Sequence, residues 1–333
     1  MKDFQNINIK SLWLCFILVI IPFKYQALEP LPYCPMHQHS EFAPECDLCG
    51  CSTSSGSFGF GSLKNSNFVG VRYIYQSFES KDGIFENSPT SKESFNTYQV
   101  WGRVPITEKI YVSSIIPYQD LYRDFTHRTE HINGIGDMNV IGWYQLTFYK
   151  KQKAGDVVFS TEREPSGHRI QFGLGVKLPT GEFEESLTDY VNPGFQVGTG
   201  SWDGIFALNY GYSAGKIGVN TTATYYAKTA NKNDYRFGNQ FSYASNFYYS
   251  IPKTTFIAMP FVGVSGDIYD SIEQFGEVIP ETKGNSFSGT VGSEVVFNKF
   301  TVGANYTFPI QQNLFGDNVH AKNKFSLYLN LTL

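Results

Sequence analysis

Soft metal ligands are concentrated near the N-terminus, in residues 28–66. Five of them lie within fifteen residues of one another: His37, His39, Cys46, Cys49 and Cys51. Thiolate and imidazole side chains suit Zn(II) or Cu(I), so these five are candidate ligands of zinc or copper. The segment also contains Cys34, and four cysteines in an oxidising compartment normally pair into two disulfides. A redox role is the third interpretation, and the residues leave all three open.

A second set of charged residues is spread along the rest of the chain. Each lies opposite the apolar side of a segment with alternating hydrophobicity: Arg72, Arg103, Lys177, Asp203 and Glu294. On the lipid face of a membrane strand such a group costs roughly 2–4 kcal/mol at mid-membrane. We therefore expect all five to line the lumen of a barrel. There they could brace the wall through ion pairs, or select the solutes that pass, and the two roles are compatible.

Strands are the elements that would position these side chains. Residues 325–333 read FSLYLNLTL, and every second residue is Phe or Leu. Successive side chains of a strand point to opposite faces, so this segment has one apolar and one polar side. Similar alternation recurs from Val69 to the C-terminus and gives about twelve strands. The fold class predicted is all-β, a transmembrane antiparallel up-and-down β-barrel.

The predicted connections alternate in length, as they do in outer-membrane barrels. The short ones are residues 105–109, 213–216, 251–254 and 298–299, and the long ones are 79–95, 124–135, 179–200 and 266–285. Residues 149–167 break this rhythm with a long connection on the short side. Glycines near Gly134 and Gly198 are interpreted as tight turns, and Asp137 and Asp203 as turn caps.

Composition agrees with an amphipathic barrel. Aromatic residues make up 17% of the chain and charged residues only 17%, while the mean hydropathy is −0.24. Half of each strand is polar, so the hydropathy averages out. A soluble all-β protein has the same composition and stays an alternative. The net charge is −4, or −6 without residues 1–27 (23 basic against 29 acidic residues), so no nucleic-acid partner is expected.

Three regions follow from this pattern. Residues 1–27 combine Lys2 and Lys10 with a short apolar run, which is typical of a signal peptide. Residues 28–66 form a periplasmic Cys/His segment and linker, and residues 67–333 form the barrel. The predicted location is the outer membrane of a Gram-negative-type bacterium, with outer-membrane lipid and a small-molecule solute as partners.

Three segments carry a family resemblance. They read GIGD at residues 134–137, GVKLPTG at 175–181 and PGFQVGTGSWD at 193–203. Together they resemble the outer-membrane transporter family labelled after the meta-pathway of phenol degradation, over about residues 67–333. The resemblance implies an outer-membrane barrel that transports small, sometimes aromatic, molecules.

The expected function is passive or ligand-gated diffusion of small solutes, with hydrophobic or aromatic ones as candidates, and without enzymatic activity. No cofactor is required for the barrel, and the oligomeric state is left open. One alternative is a structural or adhesion barrel, with Tyr190 and Phe195 as candidate loop contacts. The other is an outer-membrane lipid hydrolase, which needs a histidine and a serine together. Its candidate histidines, predicted in external loops, are His127, His131 and His320.

Overall fold

The computed structural model describes residues 67–81, 89–149, 166–183 and 194–333. The predicted signal peptide (1–27), the Cys/His segment (28–66) and Tyr190 lie outside the described residues. The metal, disulfide and redox interpretations of His37, His39, Cys34, Cys46, Cys49 and Cys51 therefore stay predictions.

Twelve long strands form the barrel wall, which confirms the predicted number. They are β1 (Phe68–Lys81), β2 (Thr90–Pro105), β3 (Ile110–Asp124), β5 (Met138–Tyr149), β6 (Gly167–Leu178), β7 (Asp203–Ala214), β8 (Ile217–Ala227), β10 (Gln240–Tyr249), β12 (Ile257–Tyr269), β15 (Gly284–Phe297), β16 (Phe300–Leu314) and β17 (Val319–Thr332). Five shorter strands accompany them: β4 (Thr129–Ile135), β9 (Tyr235–Arg236), β11 (Ile251–Pro252), β13 (Glu273–Gln274) and β14 (Glu277–Val278).

The sheet closes on itself. Each long strand pairs antiparallel with its neighbour along the chain, and the last strand β17 pairs with the first strand β1, in a register that sets Val71 opposite Leu329. The pairing of β10 with β12 completes the ring. A closed antiparallel ring has no free edge, so the wall strands find backbone partners on both sides. The predicted antiparallel barrel is confirmed.

Alternating hydrophobicity sorts the side chains between the two faces of the wall. On β17, Leu327 and Leu329 are 45% and 42% exposed, whereas the intervening Tyr328 is 6% exposed. The same alternation on β1 exposes Val69 and Val71 and buries Arg72. The outer surface is thus an apolar belt, and the inner surface carries the polar row.

Several long connections are shorter than predicted. The predicted loop 124–135 is a hairpin: β3 continues to Asp124, and β4 begins at Thr129 after a turn at residues 125–128. The predicted loops 79–95 and 266–285 likewise lose residues to strands at both ends. At these strand ends the outward positions carry polar residues such as Glu79, Lys92 and Asp120, so the outward apolar row gives no signal there. Among the described residues, no helix is long and apolar enough to cross a bilayer.

An apolar cluster fills the barrel at the end with the long connections. Wall strands contribute Phe78, Phe95, Leu121, Ile132, Leu314 and Val319, and the connections contribute Phe195, Val197, Tyr235, Phe237, Ile272, Ile279 and Phe315. Most of these wall residues occupy inward positions of the alternation. We call this group the apolar cluster; it packs side chains of the long connections against the inner face of the wall.

Candidate functional site

Polar side chains on the inner face of β1–β3 form the first part of the lumen. Arg72 donates from Nε to Gln99 Oε1 over 2.8 Å, and its guanidinium lies 4.8 Å from the centroid of the Trp101 ring. Further along the strands, Thr97 donates to Gln119 Oε1 over 2.7 Å. These contacts link neighbouring strands across the inside of the wall, as expected of bracing residues.

Arg103 lies near the short-turn end of β2, between aromatic rings. Its guanidinium carbon is 4.6 Å from the ring centroid of Tyr111 and 5.7 Å from that of Trp143. Trp143 is itself fixed, because its Nε1 donates to Ser113 Oγ over 2.8 Å. Arg103 is buried, and the rings hold its planar group in one orientation.

Two lysines and two aspartates form a buried ion network where β6 ends and β7 begins. Lys177 Nζ lies 2.5 Å from Asp203 Oδ2 and 3.3 Å from Asp137 Oδ2. Lys228, after β8, adds a second ammonium group 3.5 Å from Asp203 Oδ2. All four side chains are almost fully buried. A buried charge network is stable only when its members compensate one another, as these do.

Residues 194–202, which we call the inner segment, dock onto this network. Asp137 Oδ2 accepts from Thr199 N over 2.9 Å and from Thr199 Oγ1 over 2.6 Å. Asp137 Oδ1 accepts from Gly181 N over 3.0 Å, and Lys177 donates to Thr199 Oγ1. Ser201 Oγ donates to Asp203 Oδ1 over 2.9 Å. Asp137 thus caps the backbone of two distant segments rather than its own turn.

Two glycines allow the inner segment to lie close to the end of β6. A Cβ atom on Gly198 would fall 2.6 Å from the Cα of Gly181, a distance that real Cβ contacts essentially never show. The requirement at Gly198 is therefore close backbone approach. Gly134 lies within β4. The three segments of the family resemblance meet at this one place.

Phe195 anchors the inner segment in the apolar cluster. Its side chain is fully buried, 6.0 Å from the ring of Phe95, and the Arg123 guanidinium lies 4.2 Å from its ring centroid. Arg123 is also buried and pairs with Glu93 over 3.1 Å and with Glu130 over 3.6 Å. Phe195 is thus an internal side chain, and its interpretation as an exposed partner contact was wrong.

Glu294, on β15, and Tyr328, on β17, form a pair beside the inner face of β1 and β2. The Tyr328 hydroxyl donates to Glu294 Oε1, and its ring lies 6.2 Å from the Trp101 ring. Of the five sequence-predicted residues, Lys177 and Asp203 contact each other. Arg72, Arg103 and Glu294 are also buried on the inner face.

Sequence reasoning missed several members of the lumen. On the sequence alone, Asp137 is interpreted as a turn cap, and neither Arg123 nor Lys228 is selected. Arg123 and Arg169 occupy inward positions of the strand alternation. Longer predicted strands would have included both residues and shown that they point inward. No comparable signal marks Lys228, which follows the end of β8.

The histidines proposed for a lipid hydrolase lie on different elements. His127 is in the β3–β4 turn, whereas His131 is on β4 and His320 on β17, so the loop prediction was wrong for those two. His131 Nε2 contacts Asp120 Oδ1 at 2.7 Å, and its ring stacks on Tyr122. Within the described ranges, no group of three or more His, Cys, Asp or Glu residues is arranged to hold a metal.

Comparison with known proteins reveals a shared fold. No protein-family model and no curated protein matches the chain. Among solved structures, an outer-membrane channel from Pseudomonas putida F1 is 11% identical, with a TM-score of 0.57, and the match covers 81% of this chain and 96% of that one. The β domain of the Bordetella autotransporter BrkA is 9% identical, covers 81% and 100% of the two chains, and has a TM-score of 0.48. At these identities only the fold is comparable, and the first match carries the comparison. The chain therefore shares the closed barrel fold of an outer-membrane channel.

Proposed function

We propose that this chain is an outer-membrane channel for small solutes in a Gram-negative-type bacterium. The observation that carries the proposal is the sorting of side chains: an apolar belt outside a closed barrel, and buried charges inside it. A closed barrel satisfies its backbone without water, and an apolar exterior is the surface that hydrocarbon solvates. A soluble barrel of this sequence would leave the Leu and Val rows in water.

The inner segment acts as the gate of this channel. It places Phe195 and Val197 in the apolar cluster, and its Thr199 is held by Asp137 and Lys177. It joins β6 to β7, so it can leave the lumen without disturbing the pairing of the wall strands. Movement of the inner segment would open a path past the inward charges, and a solute that stabilises the open form would act as a ligand of the gate.

Conductance of the full chain in planar lipid bilayers tests this function. We expect discrete conductance steps, and a higher open fraction in Phe195→Ala, because that substitution removes the largest apolar anchor of the inner segment. Phe261→Ala is the matched control, since Phe261 is buried in a separate cluster with Tyr248 and Met259. A folded Phe195→Ala barrel that gives no steps would refute the channel.

The finer parts of the assignment belong to the same proposal. They are membership of the family labelled after the meta-pathway of phenol degradation, a role without catalysis, and a periplasmic position of residues 28–66. The three resemblance segments support the first, because they meet around Asp137. Metal analysis with thiol counting tests the N-terminal segment: bound zinc or copper supports a metal site at His37, His39, Cys46, Cys49 and Cys51, and four paired thiols without metal refute it.

A further inference from the structure

The buried side chain of Arg103 has hydrogen-bond donors that no acceptor in the described part of the chain satisfies. Its side chain is 6% exposed, yet neither Nε nor Nη2 donates to any acceptor among the described residues. Trp101, on the same face of β2, is 4% exposed, and its Nε1 likewise lacks an acceptor there. Leaving a buried donor unsatisfied costs about 1–3 kcal/mol, and more for a charged group. Three such donors on adjacent inward residues of one strand indicate a ligand that supplies acceptors.

Charge around Arg103 points to an anion. The charged side chain that acts on it electrostatically is Arg169, and that interaction is repulsive. The buried carboxylates inside the described part of the barrel have contacts elsewhere: Glu93 with Arg123, Glu294 with Tyr328, Asp267 with Ser242, and both Asp137 and Asp203 with Lys177. An acceptor that also carries negative charge would satisfy the donors and reduce the repulsion between the two guanidinium groups.

The space beside Arg103 limits the size of the group that binds. A cavity of about 20 Å³ lies against both unsatisfied residues, Trp101 and Arg103, and is bounded by Phe68, Trp143, Gln171 and Asn209. A volume of this size holds one small polar group of about the size of a water molecule, not a whole solute. Its lining combines Phe68, Trp101 and Trp143 with the polar residues Ser113, Gln171 and Asn209, so the site suits a charged head attached to an apolar body.

We propose that Arg103 and Trp101 bind the carboxylate group of a small organic acid inside the barrel, so that the channel selects organic anions. The planar guanidinium offers Nε and Nη2 side by side, which matches the two oxygens of a carboxylate. The rings of Tyr111 and Trp143 hold that plane in position, and the indole Nε1 of Trp101 adds a third donor. This proposal rests on the proposed channel function and gives it a class of solute.

Calorimetric titration with benzoate tests the site, with benzamide as a neutral probe of similar shape. The titrations use Asp137→Asn protein in detergent micelles, so that closure by the inner segment does not limit access. We expect benzoate to bind at least tenfold more tightly than benzamide, and Arg103→Gln to abolish that preference. Arg128→Gln is the matched control, since Arg128 lies exposed in the β3–β4 turn and should leave the preference intact.

Two further variants keep the result interpretable. Trp101→Phe retains the ring but removes the Nε1 donor, and should weaken benzoate binding several-fold; it serves if Arg103→Gln does not fold. Arg103→Lys keeps the charge without the planar pair of donors and should retain part of the preference for benzoate. Equal binding of benzoate and benzamide, or an unchanged preference in folded Arg103→Gln and Trp101→Phe, overturns the proposal.

Bilayer measurements separate this inference from the channel function. In a KCl gradient, the reversal potential should indicate anion preference for the Asp137→Asn protein and a smaller preference for the same protein with Arg103→Gln. If conductance steps are seen but Arg103→Gln does not change the reversal potential, the carboxylate site is refuted and the channel function is not. Absence of conductance steps in every folded variant would refute the channel function. The titrations would then still show whether Arg103 and Trp101 bind benzoate.

Discussion

Asp137→Asn should open the gate. The Asp137 carboxylate receives three hydrogen bonds of 2.6–3.0 Å from Thr199 and Gly181, and lies 3.3 Å from the Lys177 ammonium. Asparagine keeps one acceptor oxygen, but its second oxygen is replaced by an NH2 group, which is a donor and would face the donors of Thr199 or Gly181. Whichever way the amide is turned, at least one of the three hydrogen bonds is lost, and the attraction between position 137 and the Lys177 ammonium disappears with the charge.

The size of the effect follows from the contacts that are lost. A hydrogen bond to a charged group contributes about 1.5–3 kcal/mol, so losing one of them shifts the gate by about 2 kcal/mol. Since every 1.4 kcal/mol is a factor of ten, the ratio of open to closed channels should rise about thirtyfold. That ratio can be measured as the open fraction of single channels in planar bilayers at one voltage and salt concentration.

Asp267→Asn is the matched control for this prediction. Asp267 is also an inward carboxylate, and it accepts from Ser242 Oγ over 2.6 Å and from Gln240 Nε2 over 3.2 Å. None of its hydrogen bonds reaches the inner segment, so its substitution should change the open ratio by less than threefold. An unchanged open ratio in folded Asp137→Asn protein, or an equal rise in Asp267→Asn, would refute the reasoning.

Three further outcomes can be checked. Gly198→Ala should raise the open fraction and lower the melting temperature, because its Cβ would overlap Gly181, whereas Gly142→Ala, whose nearest atom would be 3.7 Å away, should leave both unchanged. Arg123→Gln should lower the free energy of unfolding by about 3–5 kcal/mol in denaturant titrations, since it leaves the buried Glu93 carboxylate without its guanidinium; equal loss in the exposed Arg128→Gln would contradict this. Leu329→Arg, on the outer belt, should lower the free energy of unfolding in lipid vesicles by roughly 2–4 kcal/mol. The control is Phe275→Arg, at an exposed connection. An equal loss in both variants would argue against a lipid-facing belt.

The barrel could be predicted from the sequence because its outer face forces apolar residues into every second position. That constraint acts on Leu327 and Leu329 whatever the rest of the chain does, so the strand count follows from the pattern. This constraint no longer acts where the strands extend beyond the apolar belt. β4 reads TEHINGI over residues 129–135, with one isoleucine on each face and no apolar alternation, so a strand paired with β3 could not be distinguished from a loop.

The inward positions were equally accessible to sequence reasoning, but their partners were not. Strand alternation predicts that Arg72 and Arg103 point away from the apolar row, whereas the contact of Asp137 with Thr199 joins residues 62 positions apart. The path of the inner segment has no period of its own. Phe195 lies in the lumen because it packs against Phe95 and Arg123, which are distant in the sequence. No pattern in the loop sequence indicates those contacts.

A reversible covalent lock on the inner segment tests the central claim most directly. A Cβ atom on Gly134 would lie 4.0 Å from Cβ of Val197, within the range that a disulfide spans. We would introduce Gly134→Cys and Val197→Cys together into Asp137→Asn protein, with the native cysteines replaced by serine, and record bilayer conductance before and after adding reductant. A gate formed by the inner segment predicts silence when oxidised and conductance steps when reduced, with each single-cysteine variant conducting in both states. Equal conductance in the oxidised and reduced double variant, with the disulfide verified, would contradict the account.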